Sequence, residues 1–325
     1  MFGPPSPKRR YNQLADHQIL HPEPNMPPKT RKLLTFGLVA LIVSLVATFG
    51  LYVLPYQSAH NFIHPARHPL TRFPADVGIP RYQDAQFVTS DGLTLKGWYV
   101  PPRNGAVVIF VDGHGADRAE LLDEAGFVTA HGYGALLFDQ RGCGQSQGDI
   151  ITLGYNERLD VRAAVAFVRS QAGADSHLAL FGHSMGAGTA LMAAAELPEI
   201  RAVIAESAFT TLEENINDSM YILLGLPPFP FAPLVVFYGQ QETGLDIRAV
   251  RPLDVIGQIS PRAVLLIHGA KDSVVLVKNS YALYAAAKEP KQLYILPEAA
   301  HSGFLQVEPQ VYPATILRFL DTSLK

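Results

Sequence analysis

A mostly parallel α/β sheet covered by helices on both faces is the architecture this 325-residue sequence predicts. Three observations predict it. From about residue 84 onward, short apolar and β-branched runs alternate with amphipathic stretches of helical length. Several of the apolar runs are unbroken rather than alternating, as strands buried on both faces are. Hydrophobic residues make up 48% of the chain, enough for a sizeable core.

In chain order, residues 1–32 hold seven prolines and six Lys or Arg against Asp16 and Glu23, with almost no apolar periodicity, and are expected to be a disordered basic tail. Leu33 to Leu54 follows, 22 residues without a charge. At about 1.5 Å per residue it reaches across the ~30 Å hydrocarbon core of a bilayer. The reading is a single-pass transmembrane helix, weighed against a buried core helix and against a signal peptide, whose apolar region is shorter. Lys29, Arg31 and Lys32 precede it and the first charge after it is Arg67, so the tail is expected in the cytoplasm and the rest of the chain on the other side of the membrane. Residues 55–83 are a Pro- and His-rich connector, with His60, His64 and His68 among them.

The globular part, 84–325, opens with runs Ala85–Thr89 and Leu93–Val100 around Ser90-Asp91-Gly92, a hairpin pattern. Strands are then expected at Ala106–Val111, Ala135–Phe138, Leu178–Phe181, Ala202–Ala205, Val264–Ile267 and Leu293–Leu296. Helices are expected at Arg118–His131, Glu157–Ser170, Met185–Leu197, about 276–287 and about 310–320. The stretch of about 209–259 is too long for an ordinary α/β connection and is rich in Leu, Pro and Phe. A short helical lid is the expectation, over a disordered insertion or a second membrane span, with Leu223, Leu224, Phe229 and Phe231 as candidates for an acyl site.

Composition excludes some functions. The formal net charge of −3 carries no nucleic-acid footprint. Cys143 is the only cysteine, so neither an internal disulfide nor a cysteine-built metal site is available. The 11 histidines show no H-E-x-x-H spacing or similar helical pair, so neither a metal nor a cofactor is expected.

Two segments match G-x-S-x-G, at Ser146 and at Ser184. The chemistry needs the serine on a sharp strand-to-helix turn, with glycines permitting a strained backbone. Ser184 has that setting, between the apolar run Leu178–Phe181 and the Ala- and Leu-rich stretch after it; Ser146 lies in a loop and reads as structural. At such an elbow the acid and the histidine follow the serine in the chain. Only His268 and His301 do so: His268 ends a buried strand, and His301 stands in loop after the last strand and is the candidate base. Asp272, just past the Val264 strand, is the candidate acid, with Glu206 as competitor. The backbone N–H groups of Met185 and His114 are the candidate oxyanion-hole donors.

Together, Asp112-Gly113-His114-Gly115, the Asp139-to-Ser146 loop, Gly182-His183-Ser184-Met185-Gly186, His268-to-Asp272 and His301 resemble the α/β-hydrolase superfamily. The likeness is to its serine-aminopeptidase-like branch, which includes membrane-anchored esterases and protein depalmitoylases. It covers roughly 84–325. One departure is Asp112, which stands where the family usually has the histidine of H-G-x-G. The resemblance implies an α/β-hydrolase fold and a serine hydrolase cleaving a carboxylic ester or thioester through an acyl-serine intermediate. A serine peptidase and a catalytically silent binding or scaffold protein are the alternatives. The expected partners are a small-molecule or acyl-bearing substrate and the lipid bilayer, with no nucleic acid.

Overall fold

The computed structural model describes Gly3 and residues 26–324, without the side chains of Leu223 and Leu224; most of the expected tail lies outside the described residues. By contacts the chain forms two units, Met1–Thr48 and Phe49–Lys325.

The first unit contains helix α1, Pro28–Thr48, none of whose residues is buried. The helical run Pro28–Ile63 has an 18-residue window of mean hydropathy 2.4, long and apolar enough to cross a membrane by length and composition.

The second unit begins with a π-helical turn, Phe49–Val53, and helix α2, Leu54–Ile63. Part of the expected connector is therefore helical. Ala59, Phe62 and Ile63 recur at i, i+3 and i+4, the spacing of a helix with one apolar face.

Eight strands then form one sheet: β1 Gln83–Val88, β2 Thr94–Val100, β3 Ala106–Val111, β4 Gly134–Phe138, β5 His177–His183, β6 Ile200–Glu206, β7 Ala263–Gly269 and β8 Lys291–Leu296. Their order is β1-β2-β4-β3-β5-β6-β7-β8. The β1–β2 and β2–β4 pairs are antiparallel and the rest parallel. Helices α3 Leu122–Ala130, α4 Glu157–Ala172, α5 Met185–Glu196, α9 Lys278–Ala286 and α11 Val311–Leu324 are the covering layers; α10, Phe304–Val307, is a single turn. Between β6 and β7 the lid region holds α6 Leu212–Leu224, α7 Pro228–Thr243 and the short α8 Pro252–Val255.

Strand periodicity divides the core in two. Val107, Ile109 and Val111 of β3 face one layer with Val161, Val165 and Leu191 from α4 and α5. Val108 and Phe110 face the other, with Leu122 and Val128 from α3 and Ile316, Phe319 and Leu320 from α11. Each such buried side chain contributes about 1.5–3 kcal/mol relative to exposure. Because the chain passes from β3 to β4 on one side and returns to β5 on the other, the strand order reverses between β3 and β5. The crevice at the carboxyl ends of that pair is where open α/β sheets place their ligands.

Candidate active site

Ser184 stands at this reversal, between β5 and α5, with φ 53° and ψ −117°. A non-glycine residue in that region is strained, and the surrounding packing must hold it. The flanking glycines are required by close approach. A Cβ on Gly182 would lie 2.3 Å from the Gly186 carbonyl oxygen, and one on Gly186 would lie 2.0 Å from that of Val111. The Ser184 N–H donates to the Glu206 carbonyl at 2.9 Å, which pins the elbow to β6.

The half-buried His301 comes from the loop after β8. Its Nε2 is 3.0 Å from Ser184 Oγ, and its Nδ1 is 2.7 Å from Asp272 Oδ2. The structure thus brings Ser184, His301 and Asp272 into one hydrogen-bonded line. In it, His301 can take the serine proton while Asp272 fixes its tautomer and stabilises the imidazolium.

Asp272 Oδ1 accepts the N–H groups of Val274 and Val275 at 2.8 and 2.9 Å. Burial works against its ionisation, but the hydrogen bonds from His268 and His301 prevail and hold the carboxyl well below the usual carboxylate range. His268 is fully buried, with Nδ1 2.6 Å from Ser280 Oγ and Nε2 2.7 Å from the Val275 carbonyl and 3.1 Å from Asp272 Oδ2. It buttresses the acid and does not face Ser184.

The competing residues have other partners. Ser146 is buried; its Oγ donates to the Asp139 carbonyl at 2.6 Å and accepts the Lys96 N–H at 2.9 Å. Glu206 is buried against Tyr312, whose hydroxyl donates to it, and near Glu124. Burial and the neighbouring Glu124 charge raise its carboxyl above the usual range, and its partner is Tyr312 rather than His301.

Around the line lies a second polar layer that no sequence motif marks. His183 Nε2 and Ser207 Oγ each donate to the His301 carbonyl at 3.0 Å. The other His183 nitrogen faces Glu120 at 3.3 Å, and Glu120 also accepts the Gly113 N–H at 2.5 Å. With acceptors at both ring nitrogens, His183 is held as the imidazolium. Burial opposes this, yet Glu120 and Glu206 raise its pKa to about 9. Asp112, in the place of the family's histidine, is buried with Gln140 Nε2 3.0 Å from its Oδ1. Burial and the charges of Glu120 and Asp139 push its carboxyl well up, toward the neutral form.

Met185 and His114 line the same cavity as Ser184, a space of about 340 Å³. Its walls are mostly apolar: Leu212, Ile216 and Met220 of the α6 segment, Val235 and Val236 of α7, and Ala59, Phe62 and Ile63 of α2. His114 Nε2 donates to the Phe62 carbonyl at 2.7 Å and the Ile151 N–H to that of Ile63 at 2.9 Å, so the end of α2 is tied to the rim of the site. Two expectations need correction. Phe229 is 81% exposed and lines no part of the cavity, because between Pro228 and Pro230 its backbone is extended (φ −100°, ψ 134°) and turns it away from the helix face. Phe231 packs instead with Met220, Ala232 and Val235. The side chains of Leu223 and Leu224 lie outside the described residues. The absence of a paired-histidine helix is also corrected: His60 is in α2 and His64 caps it, four residues on. The connector's prolines concealed this pair, although apolar residues at helical spacing were visible there.

The serine aminopeptidase (S33) family profile matches residues 102–237. The protein MT2364 of Mycobacterium tuberculosis is 30% identical over 302 residues, 90% of this chain and 96% of that protein. YqkD of Bacillus subtilis is 29% identical over 234 residues, 71% of this chain and 76% of that one. Among solved structures, the Pyrococcus furiosus esterase Pf2001 superposes with a TM-score of 0.69 at 25% identity, covering 81% of this chain and 99% of that one. The Pyrococcus horikoshii acylaminoacyl peptidase shares the fold, with a TM-score of 0.60 at 19% identity over 75% of this chain and 42% of that one. With a sheet of this order, a strained serine elbow at its reversal and relatives matched along nearly their whole length, the chain belongs to the α/β-hydrolase superfamily.

Proposed function

We propose that this hydrolase is a serine esterase or thioesterase, anchored to a membrane, that cleaves an apolar acyl group from its carrier. Ser184 attacks the acyl carbonyl as its proton passes to His301 Nε2; Asp272 holds His301 at Nδ1. The Met185 N–H, at the start of α5, and the His114 N–H, in the loop after β3, receive the oxyanion. Collapse returns the proton to the leaving alcohol or thiol and leaves an acyl-serine, which water then hydrolyses along the same route.

The observation that carries this reading is the hydrogen-bonded line Asp272–His301–Ser184 opening into a largely apolar cavity. An acyl chain fits such walls, and its burial supplies binding free energy. The P. furiosus neighbour, an esterase, is consistent with it. Peptide hydrolysis is the second reading, favoured by the description of the matching family. A fluorophosphonate probe, followed by matched acyl esters, thioesters and aminoacyl amides, tests both: labelling at Ser184 with turnover of esters or thioesters supports the proposal, turnover of amides alone favours the peptidase, and no labelling removes both. The apolar N-terminal helix serves in this reading as a single-pass anchor, with Lys29, Arg31 and Lys32 on the cytoplasmic side and the hydrolase domain on the other.

A further inference from the structure

α2 and α7 pack together through Ala59, Ala232 and Val235. Beside this contact stand His60 and His64, four residues apart with ring centroids 4.4 Å apart, and Glu242 in the last turn of α7. Glu242 Oε1 is 2.7 Å from His60 Nδ1 and 2.8 Å from His64 Nε2.

Proton placement makes this cluster unusual. His64 Nδ1 is 2.7 Å from the Asp149 carbonyl oxygen, which can only accept, so Nδ1 carries a proton. In the neutral ring, Nε2 then points a lone pair at a carboxylate oxygen 2.8 Å away. Two acceptors at that distance need a proton or a metal ion between them. The second oxygen of Glu242, Oε2, is buried and has no hydrogen-bond partner among the described residues. A bidentate contact to a cation would satisfy it.

We propose that His60 Nδ1, His64 Nε2 and the Glu242 carboxylate form a binding site for a divalent metal ion of the zinc class. The three ligand atoms lie within 4.8 Å of one another. Zinc held at about 2.0–2.1 Å sets tetrahedral ligands about 3.3 Å apart, so the two Glu242 Oε1-to-histidine distances of 2.7 and 2.8 Å need to open by only about 0.5 Å. Two imidazoles and one carboxylate suit zinc, nickel or copper, whereas calcium and magnesium prefer all-oxygen sets. The Asp149 carbonyl fixes the His64 tautomer from behind, the usual arrangement at a metal-bound histidine. The histidine side chains are 40% and 29% exposed and that of Glu242 19%, which leaves an entry path and a fourth position for water.

The ion's role is structural. It touches none of the reacting atoms, but it joins the two helices that roof the Ser184 cavity, α2 through Ala59, Phe62 and Ile63 and α7 through Val235, Val236 and Gly239. Metal binding fastens the lid to the segment that follows the apolar helix.

The test uses the full chain in detergent micelles, stripped with a chelator and titrated with Zn²⁺ in competition with a chromogenic chelator. One ion per chain is expected, with Kd in the micromolar range or tighter; His64→Gln and Glu242→Gln should each weaken binding at least tenfold, while His131→Gln, at the end of α3, leaves it unchanged. A Co²⁺-loaded sample should show tetrahedral d–d absorption that the Glu242→Gln protein lacks. Melting curves separate binding from folding: the stripped variants should unfold cooperatively, and saturating Zn²⁺ should raise the wild-type Tm by about 5 °C and theirs by much less. The site is overturned if the wild type shows no saturable binding of one ion per chain, or if a His60→Gln, Glu242→Gln double variant binds with wild-type affinity; a proton is then the cation between the pair.

Discussion

Ser146 and Ser184 share a five-residue pattern but not a physical situation, and single substitutions should separate them. Ser184→Ala should abolish fluorophosphonate labelling and lower turnover by on the order of 10⁴-fold or more. Ser146→Ala should leave labelling intact and lower Tm, because it strands the part-buried Lys96 N–H and the buried Asp139 carbonyl at a cost of about 1–3 kcal/mol. Labelling retained in the Ser184→Ala protein would sink the assignment. Asp272→Asn should cost about 10⁴-fold in turnover with the domain still folded, since tautomer control and imidazolium stabilisation are lost. Glu206→Gln should leave most activity; the reverse pattern would move the acid to β6.

The residues behind His301 also set a pH dependence. His183 is raised from 6.5 to about 9, so its contribution to stability is fully present below pH 6.5 and is lost as pH rises through about 9. Glu206 has a raised carboxyl and acts in the same direction, since ionising it costs stability as pH rises. Glu120, lowered because its bond to His183 outweighs burial, acts oppositely, but only on acidification. Tm should therefore fall by several degrees between pH 6.5 and 9.5, and less steeply in Glu206→Gln. A Tm that is level or rising across this interval in the wild type would refute the buried imidazolium.

At the scale of elements, the proposed acyl reading makes the lid the place where substrate choice is tested. α6 and α7 present Leu212, Ile216, Met220, Val235 and Val236 to the cavity. Each acyl methylene buried there is worth up to about 0.8 kcal/mol, close to a fourfold gain in kcat/KM, so efficiency should climb from acetyl toward octanoyl esters until the cavity is full. Ile216→Ala and Met220→Ala should lower kcat/KM more for octanoyl than for acetyl substrates, whereas Phe229→Ala, at an exposed position, should be neutral. A profile indifferent to chain length would remove the acyl reading and leave the serine hydrolase standing.

For the whole molecule, the main consequence is topology. If the apolar helix is an anchor with its basic flank in the cytoplasm, protease added to sealed vesicles with the cytoplasmic face outward should trim the tail and spare the hydrolase domain. Digestion of the domain in those vesicles, with protection in oppositely oriented ones, would reverse the orientation. Such an anchor would also concentrate the enzyme where lipid esters and acylated proteins reside.

The sheet was legible in the sequence because buried strands of a parallel sheet are written as local apolar runs: all eight expected strands form, with ends within a few residues of those observed. Ser184 and His301 were legible as candidates because an elbow needs glycines at fixed offsets and because chain order left few histidines to choose from. The expected start of α3 was four residues early, since Arg118 leaves the helical pattern to reach Asp139 from the loop before it, a partner 21 residues away. Local pattern favoured Asp272 over Glu206 as the candidate acid only by its place just past a strand; what it could not show is that Asp272 lies 2.7 Å from His301 while Tyr312 of α11 engages Glu206. Nor could it show that α2 joins α7 to roof the cavity, or that His60 and His64 meet Glu242 about 180 residues away. Such contacts depend on long-range packing of lid against connector, and no spacing along the chain encodes that distance.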